Sequence, residues 1–574
     1  MLKNKSVFAR IEMLFIIGFG VAGLLAILKT IFVSIDIDES YAISQAFRLV
    51  QGDKLLIDMW EPHQLSAYPT AFLLKLFVTI TGSTDYSVIF LRVCGTFIHL
   101  LLAFALYRVI KPWTTSQISL FITFLHVNYL AKWIQTPEFE IMQYWLLIST
   151  AICLITYFQK GRGNGFLVLA GISMMLQLLN YPTMILLYPF YMMGIFRIAV
   201  VKHYKRQAFV ITTLSALFSG LCVLFLLFYR QTLDELIENI GYILVDPSHT
   251  EKSFCLRMRE FLVEIGNDML LLLLVTAGAM FLVFIYHKLS HKELISRKKC
   301  LIQVGLLASV LLCLASMFGC LFGNQNQFFL QERYLYIAIL GFFVYMSQRE
   351  NKLIPQLLYW FMLIPSVISV IASAGLTNMT LNVSYSRFFA GCIATFLLII
   401  TCYDKEEQRQ IVFPVSFVVM SLLVCKLILI RVTGCLPVTI HAKLQQVQNG
   451  PLKGVFVLED YARIYEEDLL LLNKYVSASD NLLIFGCESL LYVGCDAQIS
   501  AASVQGTSVF DEVFLEYFRL HPNKYPTIIA VDKRFEMVDA YHYHWKNYIV
   551  ADWIETEFSY LQKIETDNMI LYIQ

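Results

Sequence analysis

Apolar runs long enough to cross a bilayer recur along the first three quarters of this chain, and no other feature narrows its fold as much. A crossing helix needs roughly 20 apolar residues, because hydrocarbon holds no water to satisfy an open backbone. About thirteen runs approach this: 11–35, 86–110, 115–133, 139–158, 165–180, 183–200, 208–229, 266–287, 301–322, 334–347, 353–375, 387–403 and 411–431. The pair 165–180 and 183–200 is short, with only Tyr181-Pro182 between them. Composition agrees. The chain is 58% hydrophobic and 15% charged, with mean hydropathy +0.63; soluble domains carry about 25% charged residues. A net charge of +1 gives none of the basic excess of a nucleic-acid binder. The 13 cysteines are scattered without a Cys-x-x-Cys and read as small core hydrophobes. Lys3, Lys5 and Arg10 precede the first run in signal-peptide order, but the run is too long for a cleaved leader and reads as the first span.

Basic residues orient the spans. Lys111, Lys160 with Arg162, the 197–206 segment, Lys288 to Lys299, Arg349 with Lys352, and Lys405 with Arg409 occupy alternate loops, which the positive-inside rule makes cytoplasmic. The N-terminus is then cytoplasmic and everything after Arg431 lies outside, as expected of a multi-pass membrane protein with an odd number of spans. The first external loop, 36–85, holds two expected helices, 39–51 and 66–80, read as lying in the membrane interface. Beyond 432, short apolar runs at 455–458, 482–485, 528–531 and 569–572 alternate with helical stretches near 461–475 and 509–520. That alternation predicts a small α/β domain. The expected fold is an α-helical polytopic membrane protein with about 13 transmembrane helices over residues 1–431 and a C-terminal soluble α/β domain over 432–574. No internal repeat, dinucleotide-binding fingerprint or phosphate-binding P-loop is present.

Candidate chemistry gathers at external span ends. Asp36-Ile37-Asp38-Glu39 follows the first span. Carboxylates at a membrane boundary are costly unless solvated, paired or used, and group transfer to a hydroxyl or amine needs a base. The plain alternative is helix capping, with Asp38 as the N-cap and Glu39 complementing the dipole. Glu138, in Lys132-Trp133-Ile134-Gln135-Thr136-Pro137-Glu138, could face the same cavity; the alternative is an interfacial Trp/Lys belt with a helix start. Arg333 opens a span after a polar segment and could clamp a phosphate, or simply snorkel to the interface. His249, His542 and His544 read as surface histidines. Asn378 and Asn382 match the glycosylation pattern only at chance level.

Asp38-Glu39-Ser40-Tyr41, an amphipathic helix, Gly52-Asp53 and then Trp60-Glu61-Pro62-His63 resemble the first external loop of GT-C glycosyltransferases. The similarity is to those of the protein O-mannosyltransferase and aminoarabinose-transferase type (glycosyltransferase family 39 and its bacterial relatives). Arg333-Tyr334-Leu335 is similar to their Arg-Tyr-Leu element, and the resemblance covers most of 1–431. It implies an inverting membrane glycosyltransferase that moves sugar from a polyprenyl-phosphate donor to an envelope acceptor (lipid, polysaccharide or protein) on the outer face. Asp38 would be the catalytic base, Glu39 its neighbour and Glu138 a second acid, with a divalent cation, if used, held by Asp38 and Glu138. Arg333 would meet the donor phosphate. The family's Lys-Pro-Pro motif is replaced here by Glu61-Pro62-His63, so its lysine contact would move to His63, Lys54 or Lys132. Two other readings compete. A transporter or flippase would show repeats and ionisable groups at mid-membrane, whereas these acids sit at span ends. A non-catalytic scaffold for envelope polymers would make the α/β domain the working part.

Overall fold

The computed structural model describes residues 2–61, 63–130, 135–198, 205–243, 253–289, 297–322, 332–347, 352–377, 381–402, 413–433, 443–486, 488–504, 511–533, 549–559 and 561–573. Each of the expected runs overlies helix. In chain order these are α1 (Leu2–Phe32), α2 (Ile37–Gln51), α3 (Ala67–Thr81), α4 (Ser87–Ile110), α5 (Ser116–Asn128), α6 (Phe139–Lys160), α7 (Asn164–Asn180), α8 (Leu187–Arg197) and α9 (Lys205–Phe228). There follow α10 (Leu233–Ile243), α11 (Phe254–Leu289), α12 (Arg297–Phe322), α13 (Glu332–Met346), α14 (Leu353–Gly375, with two π-helical turns), α15 (Phe389–Cys402) and α16 (Phe413–Thr433).

Among the described residues, 6 helices are long and apolar enough to cross a membrane, fewer than the 13 runs. Several of the others are shorter apolar helices, such as Asn164–Asn180 and Tyr385–Thr401. The outward sides of α9 and α11 are what a lipid environment requires. Phe218 is 68% exposed and Leu273 66%, each within a continuous apolar face. Water does not tolerate patches of that size.

The two helices of the first loop differ from each other. α3 presents Phe72, Leu76 and Ile80 outward at i, i+4 and i+8 while burying Ala67, Thr70, Ala71 and Leu74. That is the stripe of an interfacial helix. α2 does not lie on a surface: every residue from Glu39 to Arg48 is buried. Its apolar side meets α3, and its polar side is covered by the C-terminal domain. The Ser44 hydroxyl donates to the Ser489 carbonyl at 2.9 Å, and the Gln51 amide donates to the Ala497 carbonyl at 2.6 Å.

The C-terminal domain is α/β. Strands β1 (Leu444–Gln446) and β2 (Phe456–Leu458) form a separate antiparallel ribbon. β3 (Asn481–Phe485), β4 (Gln498–Ile499), β5 (Ile528–Asp532), β6 (Gln562–Glu565) and β7 (Met569–Ile573) form one sheet in the order β4-β3-β5-β7-β6. β3 is parallel to β4 and β5, and β7 is antiparallel to β5 and β6. The central strands β3 and β5 are buried along their length, as their unbroken apolar runs require. Helices α17 (Glu459–Tyr475), α18 (Asp511–Leu520) and α19 (Ile549–Glu557) complete the domain.

Candidate functional site

The turn after α1 carries Asp36, Asp38 and Glu39, and the segment that leads through Glu138 into α6 is bound onto it. The chain leaves α1 through Ser34, whose φ of 71° makes a sharp turn, and Asp36 then caps α2 by accepting the Asp38 N–H at 2.8 Å. The cap is therefore Asp36, not Asp38. Asp38 lies half-buried in the first helical turn with its carboxylate released from that duty. Glu39 is 1% exposed and gripped at both oxygens by Arg92 of α4, Nε at 2.8 Å and Nη2 at 2.6 Å. Arg92 also donates to the carbonyls of Ile31 (3.0 Å) and Ser34 (2.7 Å). One guanidinium thus ties the end of α1, the turn and the first turn of α2 together, which fixes where Asp38 sits.

The 135–138 segment is bound onto this turn. The Thr136 hydroxyl donates to Glu39. Gln135 accepts from Arg431 at 3.2 Å, and the Pro137 carbonyl accepts from Thr70 of α3 at 2.5 Å. The backbone passes so close to α4 that a Cβ on Gly95 would collide with the Gln135 carbonyl. Only glycine permits that approach. Glu138 is the N-cap of α6: its carboxylate oxygens accept the N–H groups of Glu140 (2.9 Å) and Ile141 (2.8 Å). Lys132 lies outside the described residues.

A second acid–base set was not anticipated. Glu140 is buried beside Glu138's helix start and accepts from Arg387 at 2.8 Å and from the Tyr181 hydroxyl at 2.5 Å. The Arg387 guanidinium also lies over the Tyr181 ring, 4.6 Å from its centre. His63 joins this set. Its backbone has φ 59°, and its ring stacks on Phe139 at 4.3 Å and meets Tyr181 edge-on at 4.6 Å. Glu140 and Arg387 were hidden because each falls within an apolar run. A charge inside such a run is itself a functional signal, and that signal could have found them.

Other expected residues lie elsewhere. Lys54 is not beside Asp38. It stands beyond the opposite end of α2, about 20 Å along the axis, and pairs with Glu235 of α10 at 3.0 Å. Arg333 is buried between α12, α13 and α16. It donates to the Ser316 hydroxyl (3.0 Å) and the Tyr334 hydroxyl (2.9 Å), and Lys426 of α16 donates to the Ser316 carbonyl at 3.0 Å. Two cations therefore converge on one serine. An aromatic layer of Tyr334, Phe389 and Tyr129 separates them from Glu140 and Arg387. Glu61, standing where the family has lysine, is fully buried and takes no part in the Asp38 face. It accepts from Gln45 (2.8 Å), Arg48 (3.2 Å) and the Val504 N–H (2.9 Å), joining the loop to the α/β domain. Burial pushes its carboxyl above the usual range despite Arg48. Among the described residues no three His, Cys, Asp or Glu side chains converge as a cation site.

Beside Tyr181 an apolar cavity of about 480 Å³ lies between α7, the 182–186 turn with α8, and α9. Met174, Met184, Leu187, Tyr188, Leu217 and Leu221 line it. The last two belong to the lipid-facing helix, so the cavity adjoins the bilayer, and its 182–186 turn follows directly on Tyr181 in the chain.

No protein-family model matches the chain, and no curated protein sequence matches it. Among solved structures, the chain is similar to the oligosaccharyltransferase of Archaeoglobus fulgidus. The apo form gives a TM-score of 0.48 at 11% identity, covering 92% of this chain and 70% of that one. The complex with zinc and sulfate gives 0.46 at 10% identity, covering 90% and 68%. The complex with an inhibitory peptide and a dolichol-phosphate gives 0.45 at 10% identity, covering 92% and 70%. At these scores the likeness assigns no family and no function.

Proposed function

We propose that this chain is a membrane glycosyltransferase of GT-C type that moves a sugar from a polyprenyl-phosphate donor to an envelope acceptor on the outer face. The observation that carries the proposal is a bilayer-side apolar cavity whose 182–186 turn continues from Tyr181, the residue bonded to buried Glu140 at the start of α6, the helix whose leading segment is bound to the Asp38 turn. A prenyl chain needs the first feature and a polar reaction the second. The long acid-bearing first loop of the sequence supports the same reading.

In this reading Asp38 takes the proton of the acceptor hydroxyl or amine. The acceptor atom attacks the anomeric carbon from the side opposite the phosphate, the carbon–oxygen bond to phosphate breaks, and the configuration inverts. Polyprenyl phosphate leaves with the bonding electrons. Two phosphate contacts are proposed as alternatives, His63 on the Tyr181 side of the aromatic layer and Arg333 beyond it, because a fixed donor at the developing anion lowers the barrier. Glu39 acts through Arg92 as a positioning residue, and Glu138 sets the start of α6. If a divalent cation serves, Asp38 and Glu138 are the residues that would hold it, and it would stabilise the same anion.

The test is transfer of label from radiolabelled polyprenyl-phosphate sugars in membranes, with wild type and Asp38→Asn compared. Transfer by wild type alone, with equal melting of the two proteins, is the expected outcome. An active Asp38→Asn protein would remove Asp38 from the chemistry. Arg333→Ala is expected to raise the donor KM or lower kcat roughly a hundredfold, the scale for losing one oxyanion contact.

A further inference from the structure

A second cavity, also of about 480 Å³, opens where the turn after α2, helix α10 and the α/β domain meet. Gln51 and Asp58 of the first loop, Glu238 of α10, and Gln498, His521 and Asn523 of the domain contribute walls. It stands at the opposite end of α2 from Asp38, about 20 Å away along a helix rising about 1.5 Å per residue.

Its walls are prebuilt. Gln51 bonds the Ala497 carbonyl and the Ile499 N–H (3.3 Å). Lys524 reaches the Asp53 carboxylate at 2.5 Å and the Ile499 carbonyl at 3.2 Å. The Asp58 carboxylate accepts the Lys54 N–H at 2.6 Å. A ligand entering here meets groups already held in place, which lowers the cost of binding.

The charges select the ligand class. Four carboxylates line the cavity against two lysines, and both lysines are already paired, Lys54 with Glu235 and Lys524 with Asp53. Asp58 and Glu238 tip the balance to negative. Phosphates, sulfates and nucleic acids are therefore disfavoured. Ile57 and Leu520 are the only large apolar side chains of the lining, so a lipid gains little there. What remains is a dense set of carboxylate and carboxamide groups, which accept from and donate to hydroxyls in fixed planes.

We infer that this cavity binds a neutral, hydroxyl-rich carbohydrate chain. That the bound carbohydrate is the acceptor, extended along α2 toward Asp38, rests on the transferase reading; the binding itself does not.

The experiment is equilibrium dialysis of the full-length protein in detergent against labelled neutral tetrasaccharides of mannose, glucose and galactose. Wild type is compared with Glu238→Ala/Asn523→Ala and with Asp38→Asn. Glu238 and Asn523 are exposed at the cavity, and neither side chain bonds the loop to the domain, so folding is expected to be kept and is checked by melting. At least one tetrasaccharide binds wild type and Asp38→Asn equally, and at least tenfold more weakly the double variant. No binding by any tetrasaccharide, or equal binding by the double variant, overturns the inference. So does binding of an oligolysine peptide with no saccharide bound. Saccharide binding without Asp38-dependent transfer sinks the transferase reading alone, and transfer without saccharide binding sinks only this inference.

Discussion

At the start of α2, three carboxylates within four residues divide three tasks, because a helix turns about 100° per residue and sends successive side chains to different faces. Asp36 caps, Glu39 locks to Arg92, and Asp38 is the third, half-buried and in neither of these roles. Stability and activity should separate accordingly. Asp36→Ala is expected to cost about 1 kcal/mol, the usual value of an N-cap. Glu39→Gln strands the buried Arg92 charge and should cost about 3–5 kcal/mol, whereas replacing both partners with apolar residues recovers most of it. Against a total of about 5–15 kcal/mol, Glu39→Gln is a severe lesion. Thermal melting of the single variants and of Glu39→Leu/Arg92→Met in detergent reads this directly. A mild Glu39→Gln would mean that the Arg92 clamp does not hold the turn.

At the scale of elements, the segment from Gln135 to Glu138 is placed by its neighbours rather than by its own sequence. α4 lends it a groove at Gly95, α16 lends it Arg431, and α3 lends it Thr70. Gly95→Ala is therefore expected to push the segment away from α4, breaking the Thr136–Glu39 bond while adding only one methyl group. Transfer activity should fall at least tenfold with α4 still helical, since alanine favours helix over glycine by about 1 kcal/mol. Unchanged activity in Gly95→Ala membranes would show that the position of this segment does not matter to the chemistry. α2 carries a related lesson. Its amphipathic pattern fits a surface helix, yet its polar face is covered by the α/β domain, with Gly52 at φ 109° ending it so that the chain can turn into Asp53.

For the whole molecule, the contact between loop and domain is a polar core. Arg48 meets Asp53 at 2.7 Å and Glu61 at 3.2 Å, and Lys524 completes a neutral quartet. Trp60 stacks on Tyr242 at 4.3 Å, and its indole N–H donates to Asn239 at 2.7 Å. His521 sits against Trp60 and Tyr517, and burial holds its ring below the ordinary histidine value. The Tyr517 carbonyl and Asp58 pull that value up, and Arg48 and Lys524 push it down. Because the folded value is depressed, the neutral ring is favoured. Its contribution is complete above about pH 6.5 and is lost as pH falls through the folded value. Glu61, shifted the other way, partly offsets the loss on acidification. Wild type should lose melting temperature relative to His521→Gln between about pH 7.5 and 5.5, and parallel curves would count against a neutral buried ring. Orientation is checked separately. Asp460→Cys, at an exposed position of α17, should react with an impermeant maleimide from outside intact cells, above the background of the native cysteines. Labelling only after lysis would put the domain inside.

Local sequence determined the helices and the central strands. Runs of apolar residues at bilayer length have no other way to satisfy their backbones, and the segments 482–485, 528–531 and 569–572 are strands near the expected limits. It also indicated that the acids cluster just past the first run. It did not reveal which acid caps α2, because capping depends on where the chain turns, and Ser34 sets that turn one residue pair earlier than Asp38 would need. Nor did it reveal the ion pairs. Arg92 lies 53 residues from Glu39 and Arg387 lies 247 from Glu140, and nothing in spacing links them. Burial strips water from such charges and makes each one find its partner through space. Only the tertiary structure therefore decided that Glu39 braces the turn, that Lys54 stands at the far end of α2, and that Glu61 holds the α/β domain.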